Sequence, residues 1–115
     1  MQDRLGNKVR LQHILDAIID IENYIQDADL ESFVNNSMMF NASLRKLEII
    51  GEASNRLSED LLLKSADIPW TRIIGLRNLV IHEYFGVDDF TIWNVIKINL
   101  PDLKEKVALL ILEFD

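Results

Sequence analysis

Apolar residues recur at three- and four-residue steps along almost the whole chain, and this period restricts the fold more than any other feature. Leu11, Ile14, Leu15, Ile18, Ile21 and Ile25 form one stripe on a first helix expected from Arg4 to Gln26. Asp27, Ala28 and Asp29 interrupt it. Asp29 is placed to cap a short helical piece through Phe33, and the cluster Asn35, Asn36, Ser37 offers a second cap ahead of a long helix. That helix carries Phe40, Leu44, Leu47, Ile50, Leu57 and Leu61. Gly51 sits in its middle at a propensity cost of about 1 kcal/mol relative to Ala, which points to another helix passing close by. Glu52 and Arg56 stand four apart in the order that favours an ion pair.

Asp67, Ile68 and Pro69 open a third helix, with the aspartate ahead of it as a cap and the proline tolerated in its first turn. It should run from Trp70 to about Tyr84. Gly86 supplies the stop, Asp88 or Asp89 caps a fourth helix through Trp93 and Ile96, and Pro101 marks a break or kink before the last turns, Leu103 to Phe114. No alternating strand pattern, repeat or linker interrupts this series. The fold class is therefore all-α, a bundle of four to five helices forming one domain over residues 1–115. At 115 residues with 49% hydrophobic content, such a chain buries a core without disulfides or metals.

The absence of cysteine excludes disulfides, zinc–thiolate sites and thiol nucleophiles. The N-terminus, MQDRLGNKVR, is polar, and no apolar run approaches the roughly 18 residues that a spanning helix needs. A soluble cytoplasmic protein without a membrane role is expected. Twelve Lys and Arg against nineteen Asp and Glu give a formal charge of −7. General nucleic-acid binders carry a basic excess, because phosphate neutralisation supplies most of their affinity. Any RNA site here must be local.

One stretch departs from the apolar pattern: RNLVIHEYFG, residues 77–86. An arginine, an asparagine, a histidine and a tyrosine interrupt what otherwise reads as a buried helix, where unpaired polar groups would cost on the order of several kcal/mol. With Arg77 at zero and about 100° per residue, Asn78 lies near 100°, His82 near 140° and Tyr84 near 340°. Asn78 and His82 are stacked neighbours, and the long Arg77 side chain can swing toward the same end. A histidine near neutrality moves protons in either direction, a guanidinium stabilises the added negative charge of a phosphorane, and an asparagine orients either one. Those are the parts of metal-independent RNA cleavage, in which the ribose 2′-hydroxyl attacks the adjacent phosphate. No convincing metal cluster competes, for His13 stands alone on the first helix.

Arg77, Asn78, His82 and Tyr84 reproduce R-x4-H-x-Y with a polar residue after the arginine. This resembles the HEPN superfamily, specifically the HepT-type toxin ribonucleases. RKLEIIGEA at 45–53, IPW at 68–70 and YFGVD at 84–88 are similar to segments of that family in the same order. The resemblance implies a homodimer whose motif helices face each other, so that paired Arg77 and His82 residues line one cleft. It also implies an RNA substrate, tRNA or mRNA, rather than DNA, and no cofactor. The partner it implies is an MNT-type nucleotidyltransferase antitoxin that transfers AMP from ATP to Tyr84 and silences the nuclease.

Each feature has a plainer reading. An isolated Arg-x4-His on a helix is more often structural, the arginine capping or paired and the histidine a satisfied core group, and the addition of Tyr84, Asn78 and the flanking segments reverses that balance. His13 reads as a histidine at the edge of a core stripe. Met38 and Met39 read as packing or interface residues, and Trp70 and Trp93 as core or dimer contacts. Glu59 with Asp60, and Asp88 with Asp89, read as helix-end solvation and capping. Two other functions stay open: a non-catalytic subunit that holds a nucleotide or docks a nucleotidyltransferase, and a purely structural helical dimer.

Overall fold

A computed structural model describes residues 4–83 and 89–114, with the backbone alone at 82 and 83. The first helix, α1 (Arg4–Tyr24), buries Leu11, Ile14, Ile18 and Ile21 completely, the stripe its spacing marks. The chain leaves it through Asp27 at φ 65°, a left-handed position that a short polar side chain tolerates better than most. A capping box then starts α2 (Leu30–Asn35): the Ser32 amide donates to Asp29 Oδ1 at 2.8 Å, and the Asp29 amide donates to Ser32 Oγ at 3.0 Å. Asn36 caps α3 (Ser37–Asn55) by accepting the Met39 amide at 3.0 Å. Both caps fall where the sequence places them.

The long helix does not reach Leu61. It ends at Asn55, and α4 (Glu59–Lys64) starts afresh with Ser58 accepting the Leu61 amide. The cause lies 51 residues away. Asn7 of α1, only 3% exposed, donates to Ser58 Oγ at 2.9 Å and accepts the Ser58 amide at 3.0 Å. That pair of bonds holds Ser58 in extended backbone, where a helix can begin but not continue. Arg56 becomes the C-cap of α3, and among the described residues Glu52 and Arg56 form no ion pair. Leu57 and Leu61 are nonetheless buried, as the apolar pattern requires.

The expected third helix comes as two pieces, α5 (Trp70–Ile74) and α6 (Leu76–Glu83), with Gly75 between them. Asp67 does not cap it. Pro69 holds the cap position without a side-chain bond, while the Asp67 carbonyl accepts Lys106 Nζ at 3.0 Å. Trp70 is buried, its indole N–H satisfied by Ser65 Oγ at 2.9 Å. Beyond the motif, α7 (Asp89–Asn94) has Asp89 as its first residue, whereas Gly86 and Asp88 lie outside the described residues.

Pro101 brings no break. A π-helical segment (Val95–Asn99) joins α7 to α8 (Leu100–Leu112), with Pro101 in the first turn of α8. The Leu100 amide reaches back five residues to the Val95 carbonyl. Proline lacks the amide that would continue the ladder and its ring crowds the carbonyl four residues earlier, so one widened turn accommodates both defects.

The bundle is centred on α3, which packs against α1 most extensively and against α5 and α6 on another side, while α8 closes over α1. Phe33 is fully buried, with Phe40 and Trp93 ring centroids 5.2 and 5.0 Å away. The described residues contain no strand, so the fold is the all-α bundle that the period implies, in more and shorter pieces. Among them no helix is long and apolar enough to cross a membrane.

Candidate active site

The position of α6 is set by its contact with α3. Where the two meet, α3 carries Gly51, and a Cβ there would stand 3.1 Å from the Arg77 amide nitrogen and 3.3 Å from the carbonyl oxygens of Ile73 and Ile74. Only a glycine lets the α5–α6 junction approach so closely. The apolar face of the pair, Ile73, Leu76 and Val80, is buried against the rest of the bundle.

The other face is open. Arg77 and Asn78 are exposed, and Ile81 beside them is 45% exposed. The helix is therefore amphipathic rather than wholly buried, and Arg77 and Asn78 carry no burial cost that has to be repaid. This corrects the expectation from the sequence: apolar neighbours on both sides of the motif indicated a buried element, but half of them lie round the cylinder from it. One turn beyond Asn78 comes the backbone of His82, still within α6. Tyr84 lies outside the described residues.

This face of an acidic chain carries cations without acidic partners among the described residues. Four cations elsewhere are paired with acids: Arg45 with Glu48 at 2.8 Å, Lys46 with Asp20 at 2.9 Å, Lys104 with Glu22 at 2.8 Å and Lys106 with Asp102 at 3.2 Å. The Asp20 carboxylate beside it raises the pKa of Lys46. Among the described residues, the guanidinium groups of Arg77 and of Arg72, on α5, have neither a hydrogen-bond nor an ion-pair partner. Each is a planar, permanently charged group of the kind that phosphate recognition uses. Arg72 carries no motif signal, and sequence reading passes it over. A groove of about 390 Å³ runs beside it, between α5–α6 and the π segment with the start of α8. His13 is exposed on α1 and joins neither arginine.

The helical bundle thus presents an exposed Arg-Asn ridge with position 82 one turn on. Residues 14–110 match the family described as ribonuclease HepT-like, and the chain belongs to that family. It is similar to a Methanocaldococcus jannaschii protein provisionally named an RNase, with 39% identity over 102 residues that cover 89% of this chain and 94% of the relative. A second protein of that organism with the same kind of name is 37% identical over 94% of this chain and 93% of its own length. A Thermococcus cleftensis protein provisionally named ribonuclease HepT is 37% identical over 88% of this chain and 92% of the relative. No solved structure matches the chain.

Proposed function

We propose that this member of the HepT-like ribonuclease family is the toxin of a toxin–antitoxin pair, a metal-independent endoribonuclease working at a composite cleft between two copies of the chain. The observation that carries the reading is the open face of α6, where Arg77 and Asn78 stand exposed with the Arg77 guanidinium unmatched by any acid among the described residues. In the reaction, the 2′-oxygen of a ribose attacks the adjacent phosphorus and the bond from phosphorus to the 5′-oxygen breaks. A base takes the 2′-hydroxyl proton and an acid protonates the leaving 5′-oxygen, which leaves a 2′,3′-cyclic phosphate and a 5′-hydroxyl. His82 moves one of those protons, Arg77 stabilises the phosphorane and Asn78 orients the histidine or the phosphate. In a symmetric dimer the second histidine supplies the other proton transfer.

The exposed apolar side chain of Ile81 beside the ridge supports pairing of two copies. Regulation follows from Tyr84, two residues after the histidine. An AMP group placed there by a cognate nucleotidyltransferase of the MNT type adds bulk and negative charge where the RNA backbone must lie, and it can engage Arg77. Purified wild type should cut RNA in the presence of EDTA and leave cyclic phosphate ends. His82→Ala and Arg77→Ala should fold and lose cleavage. Full activity in His82→Ala, or strict dependence on added magnesium, removes this mechanism. A Tyr84→Phe protein should stay nucleolytic and escape modification by the nucleotidyltransferase with ATP. A non-catalytic nucleotide-holding subunit would bind RNA or nucleotide and leave RNA intact under all these conditions.

A further inference from the structure

We infer that the groove beside Arg72 is an RNA subsite that receives the base of a nucleoside flanking the cleaved phosphate. The inference rests on the ribonuclease reading above and adds to it where the substrate lies. Its floor is aliphatic, formed by Ile73, Leu76 and Leu79 from α5–α6 and Val95 from the π segment. Its rim is polar, with Arg72 on one side and Asn99 and Asp102 on the other. At about 390 Å³ the space falls within the roughly 300–1,000 Å³ of clefts that hold small ligands, enough for a base with part of its ribose.

The position relative to the motif favours this occupant. At about 100° per residue, Leu79 lies some 60° round α6 from position 82 and 100° from Asn78, so the groove borders the row those two residues form. A base seated on Leu79 therefore brings its own phosphate to that row. Single-stranded RNA is read by splaying bases out and stacking them on planar side chains, guanidinium planes included. Arg72 offers such a plane, exposed and unmatched by any carboxylate among the described residues. Asn99 is exposed and has no side-chain hydrogen bond among the described residues, which leaves a donor and an acceptor for a base edge. Asp102 would repel a phosphate, but it sits on the far rim, is held by Lys106 at 3.2 Å, and can accept from an exocyclic amine. The charge pattern thus places the phosphate on the arginine side and the base edge on the α8 side.

The test uses the full chain and single-stranded RNA oligonucleotides randomised at the positions flanking the cut, together with a 2′-O-methyl version that cannot be cleaved. Arg72→Ala should weaken binding of the uncleavable RNA about tenfold, a typical loss for one stacked base. It should also flatten the base preference at one flanking position, with most of the loss in cleavage appearing in KM. Leu79→Trp, which fills the groove, should do the same, whereas Lys64→Ala, which removes an exposed cation on α4 outside the groove, should bind the uncleavable RNA as wild type does. Unchanged affinity and preference in both Arg72→Ala and Leu79→Trp would overturn the subsite while the nuclease stands. A dimer that dissociates on Leu79→Trp would overturn it too, since the groove would then be a contact between copies. If wild type cuts no RNA, the ribonuclease reading fails by itself, and the uncleavable RNA still decides the groove.

Discussion

Replacing Gly51 by alanine tests how tightly the α3 contact fixes Arg77. The new methyl would lie 3.1 Å from the Arg77 amide nitrogen and 3.3 Å from two backbone carbonyl oxygens, against about 3.5–4.0 Å for a relaxed heavy-atom contact. All three neighbours are backbone, so no side chain can rotate away. The α5–α6 junction must retreat by a few tenths of an ångström. Crowding of this kind costs about 1–3 kcal/mol, and alanine in place of glycine within a helix returns about 1 kcal/mol. The net expectation is a destabilisation of about 0–2 kcal/mol, read as a lower urea midpoint at constant slope.

Cleavage should respond more sharply than stability. A misplacement near 1 Å costs up to about 10²-fold in rate, so a retreat of a third of that distance should cost about three- to tenfold. Initial rates on one RNA oligonucleotide, compared with urea unfolding of the same preparations, separate the two effects. Gly51→Val, bulkier and β-branched, should lose more of both. If Gly51→Ala is stabilised by about 1 kcal/mol and cuts as fast as wild type, α6 is free to shift and its contact with α3 does not position Arg77.

Asn7→Ala should lower stability by about 1–3 kcal/mol, because it strips the Ser58 amide of its buried partner and frees the start of α4; equilibrium urea unfolding will show it. Phe33→Ala, at a fully buried position between Phe40 and Trp93, should cost about 3–5 kcal/mol in the same assay. The Asp29 carboxyl is held below its ordinary value of 3.8, chiefly by the Ser32 amide and then by the Ser32 hydroxyl. A depressed carboxyl stabilises the fold above its ordinary value, and that contribution is lost as pH falls through the lowered one. Protection of the α2 amides, corrected for the intrinsic exchange rate at each pH, should therefore fall in wild type as pH drops below the ordinary value of 3.8, and less for Asp29→Asn, which keeps an acceptor that does not titrate.

The features that a reader of the sequence gets right are those decided within one or two helical turns. The stripe from Leu11 to Ile25 and the caps at Asp29 and Asn36 depend on neighbours three or four residues away, and the structure has them all. Gly51 also announces itself, since a glycine inside a helix of good formers calls for a reason, and the Arg77 amide is that reason. What fails is whatever depends on a distant partner. Nothing near Arg56 says that the helix must stop there, because the group that stops it is Asn7 on another element. Pro101 signals a defect, yet whether the chain answers with a break or with one widened turn depends on keeping both Ile92 and Leu103 in the core. A smooth π turn does so.

The same distinction governs the site. Spacing alone puts Arg77, Asn78 and position 82 in a helical relation, and the chemistry proposed for them rests on the resemblance of the motif. Spacing cannot say which side of the helix meets water. The buried arc of Ile73, Leu76 and Val80 decides that, by turning Arg77 and Asn78 outward. Arg72 was illegible for a related reason: an arginine in no motif gains meaning only when every nearby carboxylate proves to be engaged elsewhere or out of reach. An unmatched guanidinium on the open face of α6, and another at the apolar groove, reconcile an acidic protein with an anionic substrate, since the attraction can be local while the rest of the surface repels. Binding should then weaken with salt by no more than the few contacts these groups make, a shallow dependence that a broadly basic binder would not show.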